Sequence, residues 1–180
     1  MKFPENTSFT LIYQASRDGF GLKDFHSKCD GIFNTLIVIQ STDSFVMGGF
    51  TTADWSQNNQ SDTYHYDNNA FIFSLINPLN QSFKMNVNKP DSATYMGLDH
   101  IDGIVNQILG FGQSDLFLND YSNLNINYGW KNDILSYDLP QSLAGNGSIL
   151  IGGDFFISAQ VEVFVVDGNK YLFLKLLNMN

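Results

Sequence analysis

Two short segments of the sequence bring acidic residues and histidine close enough together to suggest metal binding. Carboxylates and imidazoles are common metal ligands, and three of them near one point could hold a cation. Neither segment has the His-x-x-x-His, Cys-x-x-Cys or EF-hand spacing of established metal sites. Loops rich in Asp, His and Asn also arise without a metal, so the sequence predicts neither a metal site nor a cofactor. The two clusters are Asp62, His65 and Asp67, and Asp99, His100 and Asp102.

Cys29 is the single cysteine and the one candidate for redox chemistry. The adjacent Lys28 would lower the pKa of a thiol, and a thiolate reacts with peroxides. However, Cys29 falls on the apolar stripe of a predicted helix, near the C-terminal end, where the helix dipole disfavours negative charge. A core role is therefore favoured, and a peroxide-reactive enzyme is the alternative. A single cysteine also fits a reducing cytosol.

Three aromatic residues near a polar stretch could bind a sugar. Trp55, Tyr64 and Tyr66 lie beside or within residues 56–69, which are typical of a long surface loop. Exposed aromatic rings stack on sugars in some β-sandwich proteins, so a glycan-binding module is a further alternative. The favoured interpretation is that these amphipathic rings pack the loop against the rest of the domain.

The glycines do not form a nucleotide-binding or nucleophile motif. There is no G-x-S-x-G elbow, and three His among many Ser and Asp make chance triads unavoidable. Gly110 and Gly112 lack the third glycine of a dinucleotide-binding loop and the Lys of a Walker loop. Together with the pairs at residues 48–49 and 152–153, they are predicted to form tight turns and bulges at sheet edges. No catalytic residue is predicted.

The composition indicates a folded, acidic domain. Eighteen Asp and Glu against nine Lys and Arg give a formal net charge of −9 over 180 residues, with 16 Phe and 8 Tyr to form a core. Nucleic acids and anionic membranes bind clustered Lys and Arg, so both are excluded as direct partners. No apolar run is long enough to cross a membrane, and residues 1–9 lack the pattern of a secretory signal. A cytoplasmic protein is expected.

Strand signals dominate the chain, and these strands would position the residues above. Residues 35–40 form a continuous β-branched run, and residues 45–50 follow a Ser-Thr-Asp-Ser turn, so the pair predicts a hairpin. Residues 171–177 are typical of a further strand or of a short closing helix, because Leu and Lys favour helices. The other predicted strands are residues 70–75, 83–87, 94–96, 115–118, 148–151 and 161–166.

Two helices are predicted among the strands. The stronger covers residues 22–29, where Leu22, Phe25 and Cys29 form one apolar stripe. A weaker one covers residues 102–109. Many strands with one or two helices predict a mainly β fold with minor α content, in the form of a β-sandwich with helices packed on its edge.

Several of these segments, in the same order, resemble the TLDc domain, the module of oxidation-resistance proteins. Residues 11–20 (LIYQASRDGF) are similar to the opening strand and turn of that family, and residues 24–30 to its FH-x-x-C-D segment. The resemblance covers residues 11–166, which gives a single domain with an N-terminal extension at 1–10 and a C-terminal extension at 167–180. Further similar segments are residues 35–39, 46–50, 51–55, 67–75, 109–118, 154–157 and 161–164.

The resemblance implies a two-sheet antiparallel β-sandwich with flanking helices and without catalytic residues. It also implies protection against oxidative stress and binding to the vacuolar proton-pumping ATPase, for which the peripheral sector is the expected contact. Sheet edges and glycine-rich loops suit recognition better than catalysis. We therefore expect a protein-interaction module whose partner surface includes Gly110, Gly112, Asp115, Asp154 and Glu162, although Glu162 could instead pair within a sheet.

Overall fold

Two antiparallel β-sheets make up most of the structure, which is a computed structural model. It describes residues 7–56, 63–101, 104–113, 115–129, 136–143, 150 and 153–167. The strands are β1 (Ser8–Gln14), β2 (Thr35–Ser41), β3 (Val46–Thr51), β4 (Thr63–His65), β5 (Phe71–Ile76), β6 (Phe83–Asn86), β7 (Thr94–Ile101), β8 (Ile104–Phe111), β9 (Leu116–Asn119), β10 (Asn127–Gly129), β11 (Phe155–Phe156) and β12 (Ser158–Asp167). The helices are α1 (Ala15–Asp18) and α2 (Leu22–Cys29), with single 3-10 turns at Pro90–Ser92 and Gln141–Leu143.

The two sheets have six strands each among the described residues. The first has the order β1-β12-β2-β3-β5-β6 and the second the order β11-β10-β9-β8-β7-β4. All neighbouring strands run antiparallel. In the first sheet β12 lies between β1 and β2, so the two ends of the described chain are hydrogen-bonded side by side. This architecture confirms the predicted mainly β class.

The core lies between the inner faces of the two sheets, as strand alternation requires. Trp55 is at its centre: its ring packs edge-on against Phe25 of α2 and Phe111 of β8, with both centroid distances at 5.6 Å. The indole nitrogen donates a hydrogen bond to Thr35 Oγ1 at 2.9 Å, which satisfies the one polar atom of the ring. Other inner-face residues of this cluster include Ile37, Ile39, Met47, Ile72, Met85, Met96, Leu109, Leu116, Leu118, Val161 and Val163.

Helix α2 forms over the residues that the apolar spacing predicts. Its stripe of Leu22, Phe25 and Cys29 is buried against the core. The N-terminal end is capped by two carboxylates: Asp24 Oδ2 accepts from Gly21 N at 3.2 Å, and Asp120 Oδ1 accepts from Leu22 N at 2.7 Å. The second bond joins the helix to the turn after β9, and it depends on a residue 98 positions away.

The predicted helix at residues 102–109 is wrong. Residues 104–111 form β8, which pairs with β7 from Ile101↔Ile104 to Thr94↔Phe111. Because Ile and Val recur at spacings that suit either structure, the periodicity alone did not decide between them, and pairing with β7 and β9 favours the strand. The strand predicted at 94–96 is correspondingly too short, since β7 extends to Ile101.

Other predicted boundaries differ from the observed ones by a few residues or lie outside the described residues. The hairpin of β2 and β3 and the strands β5, β6, β9 and β12 confirm the predicted strands at those places. The predicted loop at 56–69 contains β4, which pairs with β7. The predicted strand at 148–151 and the strand or helix at 171–177 lie outside the described residues, except for the buried Leu150.

The glycine pair at residues 48–49 is in the middle of β3 and not in a turn, which corrects the expectation for it. A Cβ atom on Gly49 would lie only 2.5 Å from the Phe111 ring, which reaches across from the second sheet. A Cβ on Gly48 would clash with the backbone carbonyl of Ile37. These glycines therefore permit close packing. The same prediction is wrong for Gly110, which lies within β8, whereas Gly112, with φ +74°, is in a turn as predicted.

Candidate functional site

Cys29, the redox candidate, is fully buried at the C-terminal end of α2. Burial, together with the nearby carboxylates of Asp30 and Asp18, raises the pKa of its thiol from 9.0 to about 12. The thiolate is the reactive form, so the raised pKa and the burial of the thiol both disfavour its reaction at neutral pH. The geometry supports the core role that the helix pattern favoured over peroxide chemistry.

Asp67, from the first candidate metal cluster, is buried, and its carboxylate accepts four hydrogen bonds. Its Oδ2 accepts from Thr51 Oγ1 at 2.8 Å and from Thr52 N at 2.5 Å. Its Oδ1 accepts from Thr52 Oγ1 and from Asn69 N, both at 2.8 Å. Four donors around one carboxylate join the end of β3 to the segment that leads into β5, which is a structural task.

The remaining members of the two clusters are not gathered into a site by the described part of the chain. His65 Nδ1 lies 2.8 Å from the backbone oxygen of Asp54, and His65 is not among the four hydrogen-bond donors to Asp67. Within the described residues, no group of three or more His, Cys, Asp or Glu could hold a metal ion. Asp62, Asp102 and the side chains of Asp99 and His100 lie outside those residues.

The three aromatic residues considered for sugar binding differ in exposure. Trp55 belongs to the core, whereas Tyr64 and Tyr66 are both exposed. The ring of Tyr64 on β4 packs against Tyr95 of β7 at a centroid distance of 4.7 Å. This contact supports the interpretation that aromatic rings hold the segment to the sandwich.

Gly110 lies beneath a pair of stacked rings on the outer face of the second sheet. Tyr95 and Phe117 are its register partners on β7 and β9. Their two rings stack on each other over Gly110, with a centroid distance of 5.4 Å and an interplanar angle of 12°. A Cβ atom on Gly110 would clash with the ring of Phe117 and the backbone oxygen of Leu116. The structure therefore shows a packing role for Gly110, and a role in partner binding stays a prediction.

Gly112 and Asp115 close the turn between β8 and β9, and both are buried. The Gly112 amide donates to the Ala93 carbonyl at 3.0 Å, and Asp115 Oδ2 accepts from Ser136 N at 3.1 Å. A side chain at Gly112 would clash with the Asp115 carboxylate. A partner would reach neither residue directly, so any effect on binding would act through the shape of this turn.

Asp154 and Glu162 are partly exposed, in contrast to the other three predicted contact residues. Glu162 on β12 accepts a hydrogen bond from Gln14 Nε2 on β1 at 2.8 Å. This bond corresponds to the pairing within a sheet that the sequence left open as an alternative. Asp154 directly precedes the edge strand β11 and adds negative charge there.

A group of exposed apolar residues was missed by the sequence reasoning. Tyr121, Leu124 and Ile126 project from the turn between β9 and β10, and Phe155 projects from the neighbouring edge strand β11. The signal in the sequence was an alternation of apolar and turn-forming residues over 120–126 (DYSNLNI). Such a pattern is ambiguous, because apolar residues in a turn are exposed only if no other element covers them.

These features define a two-sheet antiparallel β-sandwich with small flanking helices. The chain matches the TLDc domain family over residues 1–167, and it belongs to that family. No curated protein matches it in sequence. In the described part of the chain, no helix has the length and apolar character needed to cross a membrane.

Proposed function

We propose that this chain is a non-catalytic, cytosolic protein-interaction module that acts in the oxidative-stress response by binding the vacuolar proton-pumping ATPase. The observation that carries the proposal is the match to the TLDc domain over residues 1–167, because that family is linked to oxidation resistance. The burial and raised pKa of Cys29 support an interaction role over peroxide chemistry at this residue.

Charge supports a protein partner of opposite sign. The chain has a formal net charge of −9, and Asp154 and Glu162 are partly exposed on the sandwich. Complementary potentials steer two proteins together and disfavour wrong partners. A partner with a basic surface is therefore expected, and the peripheral sector of the ATPase is the proposed one.

A pull-down with purified components tests the proposal. The immobilised chain is incubated with the purified peripheral sector, next to an unrelated protein of the same size and net charge. We expect the sector to be retained by this chain and not by the acidic control. Equal retention on both would show non-specific charge attraction and would overturn the proposal, as would no retention on either.

A further inference from the structure

We propose that Tyr121, Leu124, Ile126 and Phe155 form a docking surface for a partner segment that combines apolar and basic side chains. This set is called the apolar loop surface below. The inference rests on the proposed interaction role and names the part of the molecule that performs it.

The exposed fractions are large for apolar side chains. They are 54% for Tyr121, 76% for Leu124, 55% for Ile126 and 50% for Phe155. Single exposed apolar residues are common, whereas a group of them on one surface indicates an interaction site. These four residues come from two segments of the second sheet, the turn before β10 and the edge strand β11.

The sheet register brings the two segments together. Tyr128 pairs with Phe155, and Asn127 pairs with Phe156. Ile126 directly precedes β10 and is two residues before Tyr128, so strand alternation places it on the side of the sheet that Phe155 occupies. Residues 121–124 form the turn that leads directly into Ile126, so the exposed Tyr121 and Leu124 belong to the same loop as Ile126.

The turn is held in one conformation by a buried side chain. Asn127 Nδ2 donates to the Ser122 carbonyl at 2.7 Å, and Asn127 Oδ1 accepts from Asn119 N at 2.9 Å. Ser158 N also donates to the Ser122 carbonyl, at 3.0 Å. The middle of the turn is thus attached to β9 and β12, so the backbone that carries the exposed side chains is held in place before a partner arrives, which lowers the entropic cost of binding.

A second anchor joins the start of the turn to α2. Asp120 Oδ1 accepts from Leu22 N at 2.7 Å, and the Asp120 carbonyl accepts from Asn125 Nδ2 at 2.6 Å. Tyr121 adopts φ +50°, a conformation that is uncommon for a large side chain and that the surrounding contacts maintain. The residue is thereby turned outward instead of continuing β9.

The charges around the apolar loop surface select the partner. A Cβ atom placed on Gly21 would lie 3.0 Å from Asp24 Oδ2, 3.5 Å from Asp120 Oδ1 and 3.7 Å from Tyr121 Cε1. Two carboxylates and the edge of the Tyr121 ring therefore lie close to the same point, and Asp154 is adjacent to Phe155 in sequence. Lys or Arg side chains next to apolar ones in the partner would complement these acids and could also stack on the ring.

The test uses a labelled synthetic peptide of alternating Leu and Lys residues, and fluorescence anisotropy measures its affinity. We expect the chain to bind this peptide, and Leu124→Ser to weaken binding by about tenfold, because burial of one leucine is lost. Leu79→Ser is the matched control: it removes another exposed leucine, in the turn after β5, without changing the charge. A peptide of alternating Leu and Glu should bind far more weakly.

Three results would overturn the inference: no binding of the Leu-Lys peptide, equal loss in Leu124→Ser and Leu79→Ser, or equal binding of the Leu-Glu peptide. A pull-down of the ATPase peripheral sector with the same variants separates this inference from the proposed function. If even the unmodified chain fails to retain the sector, the ATPase proposal falls while the peptide result still decides the docking surface. If Leu124→Ser retains the sector as well as the unmodified chain does, the docking surface is wrong and the ATPase proposal stands.

Discussion

At the scale of single residues, Gly110 shows how an outer sheet face can require the absence of a side chain. The rings of Tyr95 and Phe117 occupy the space above it, and the carbonyl of Leu116 closes the remaining side. Gly110→Ala is therefore expected to lower the free energy of unfolding by about 1–3 kcal/mol, the usual cost of overpacking. Urea denaturation followed by tryptophan fluorescence measures the change.

Gly153→Ala is the control for that prediction. Its added methyl group would meet nothing nearer than the carbonyl of Phe155 at 3.9 Å, which is an ordinary contact. Stability should stay within about 0.5 kcal/mol of the unmodified chain. If Gly110→Ala left stability unchanged and only weakened partner binding, Gly110 would be a contact residue, as the sequence suggested, and not a packing residue.

Cys29 should make the stability of the fold depend on pH in the alkaline range. Its thiol has a pKa of about 12 in the folded chain against 9.0 for an unperturbed thiol. Above pH 9 the unfolded chain loses this proton while the folded chain keeps it, so stability falls as the pH rises. The cysteine contributes a slope of up to about 1.4 kcal/mol per pH unit. Denaturation in urea between pH 8 and 10.5 measures it.

Cys29→Ala provides the comparison, since it retains a small apolar group in the core but has no proton to lose. The variant should be less stable at pH 8, because a cavity remains, and its stability should fall less steeply above pH 9. Burial also raises the pKa of Tyr13 and of Tyr137, and both tyrosines are common to the two proteins. Parallel pH curves would show that the thiol ionises normally in the folded chain.

At the scale of elements, local patterns were sufficient where local forces decide the structure. The apolar stripe predicted α2, and the β-branched run with its turn predicted the hairpin of β2 and β3. The short strands β4, β10 and β11 contain only two or three residues each, and they exist because a longer neighbour supplies their hydrogen bonds. No periodicity can be read from so few residues, so the sequence did not predict β4, β10 or β11.

Asp67 links two elements, and its acceptor role can be tested directly. Asp67→Asn keeps the size of the side chain but replaces one oxygen by an amide group that donates. That group would face donors from Thr51, Thr52 or Asn69, so at least one hydrogen bond is lost. We expect the free energy of unfolding to fall by about 2–3 kcal/mol. Asp43→Asn, in an exposed turn, should be close to neutral.

Thermal unfolding with and without added Ca²⁺ or Mg²⁺ complements the experiment on Asp67. If the carboxylate serves only its four donors, these cations should leave the melting temperature of the unmodified chain unchanged. A rise with either cation that disappears in Asp67→Asn would contradict this assignment and would show that the residue is a metal ligand after all.

At the scale of the whole molecule, the sequence predicted the class of fold better than the position of a partner surface. Alternation and order along the chain are enough to indicate a β-sandwich and its family. Exposure is a different kind of property, because it depends on which distant segment packs on a residue. A charged residue such as Asp115 is expected at the surface, but it is buried and accepts a hydrogen bond from Ser136 N. An apolar residue such as Leu124 is expected in the core, but it is exposed.

The net charge of −9 leads to a prediction about the whole molecule. If this charge steers the chain to a basic partner, the association rate with the ATPase peripheral sector should fall by at least about tenfold between 50 and 500 mM NaCl. Surface plasmon resonance measures the rate. Exchanging Asp43 and Asp91, both exposed, for Asn changes the formal net charge from −9 to −7. This change should weaken the dependence of the association rate on salt. An association rate that does not change with salt would leave contact at the apolar loop surface, and not the overall field, as the source of specificity.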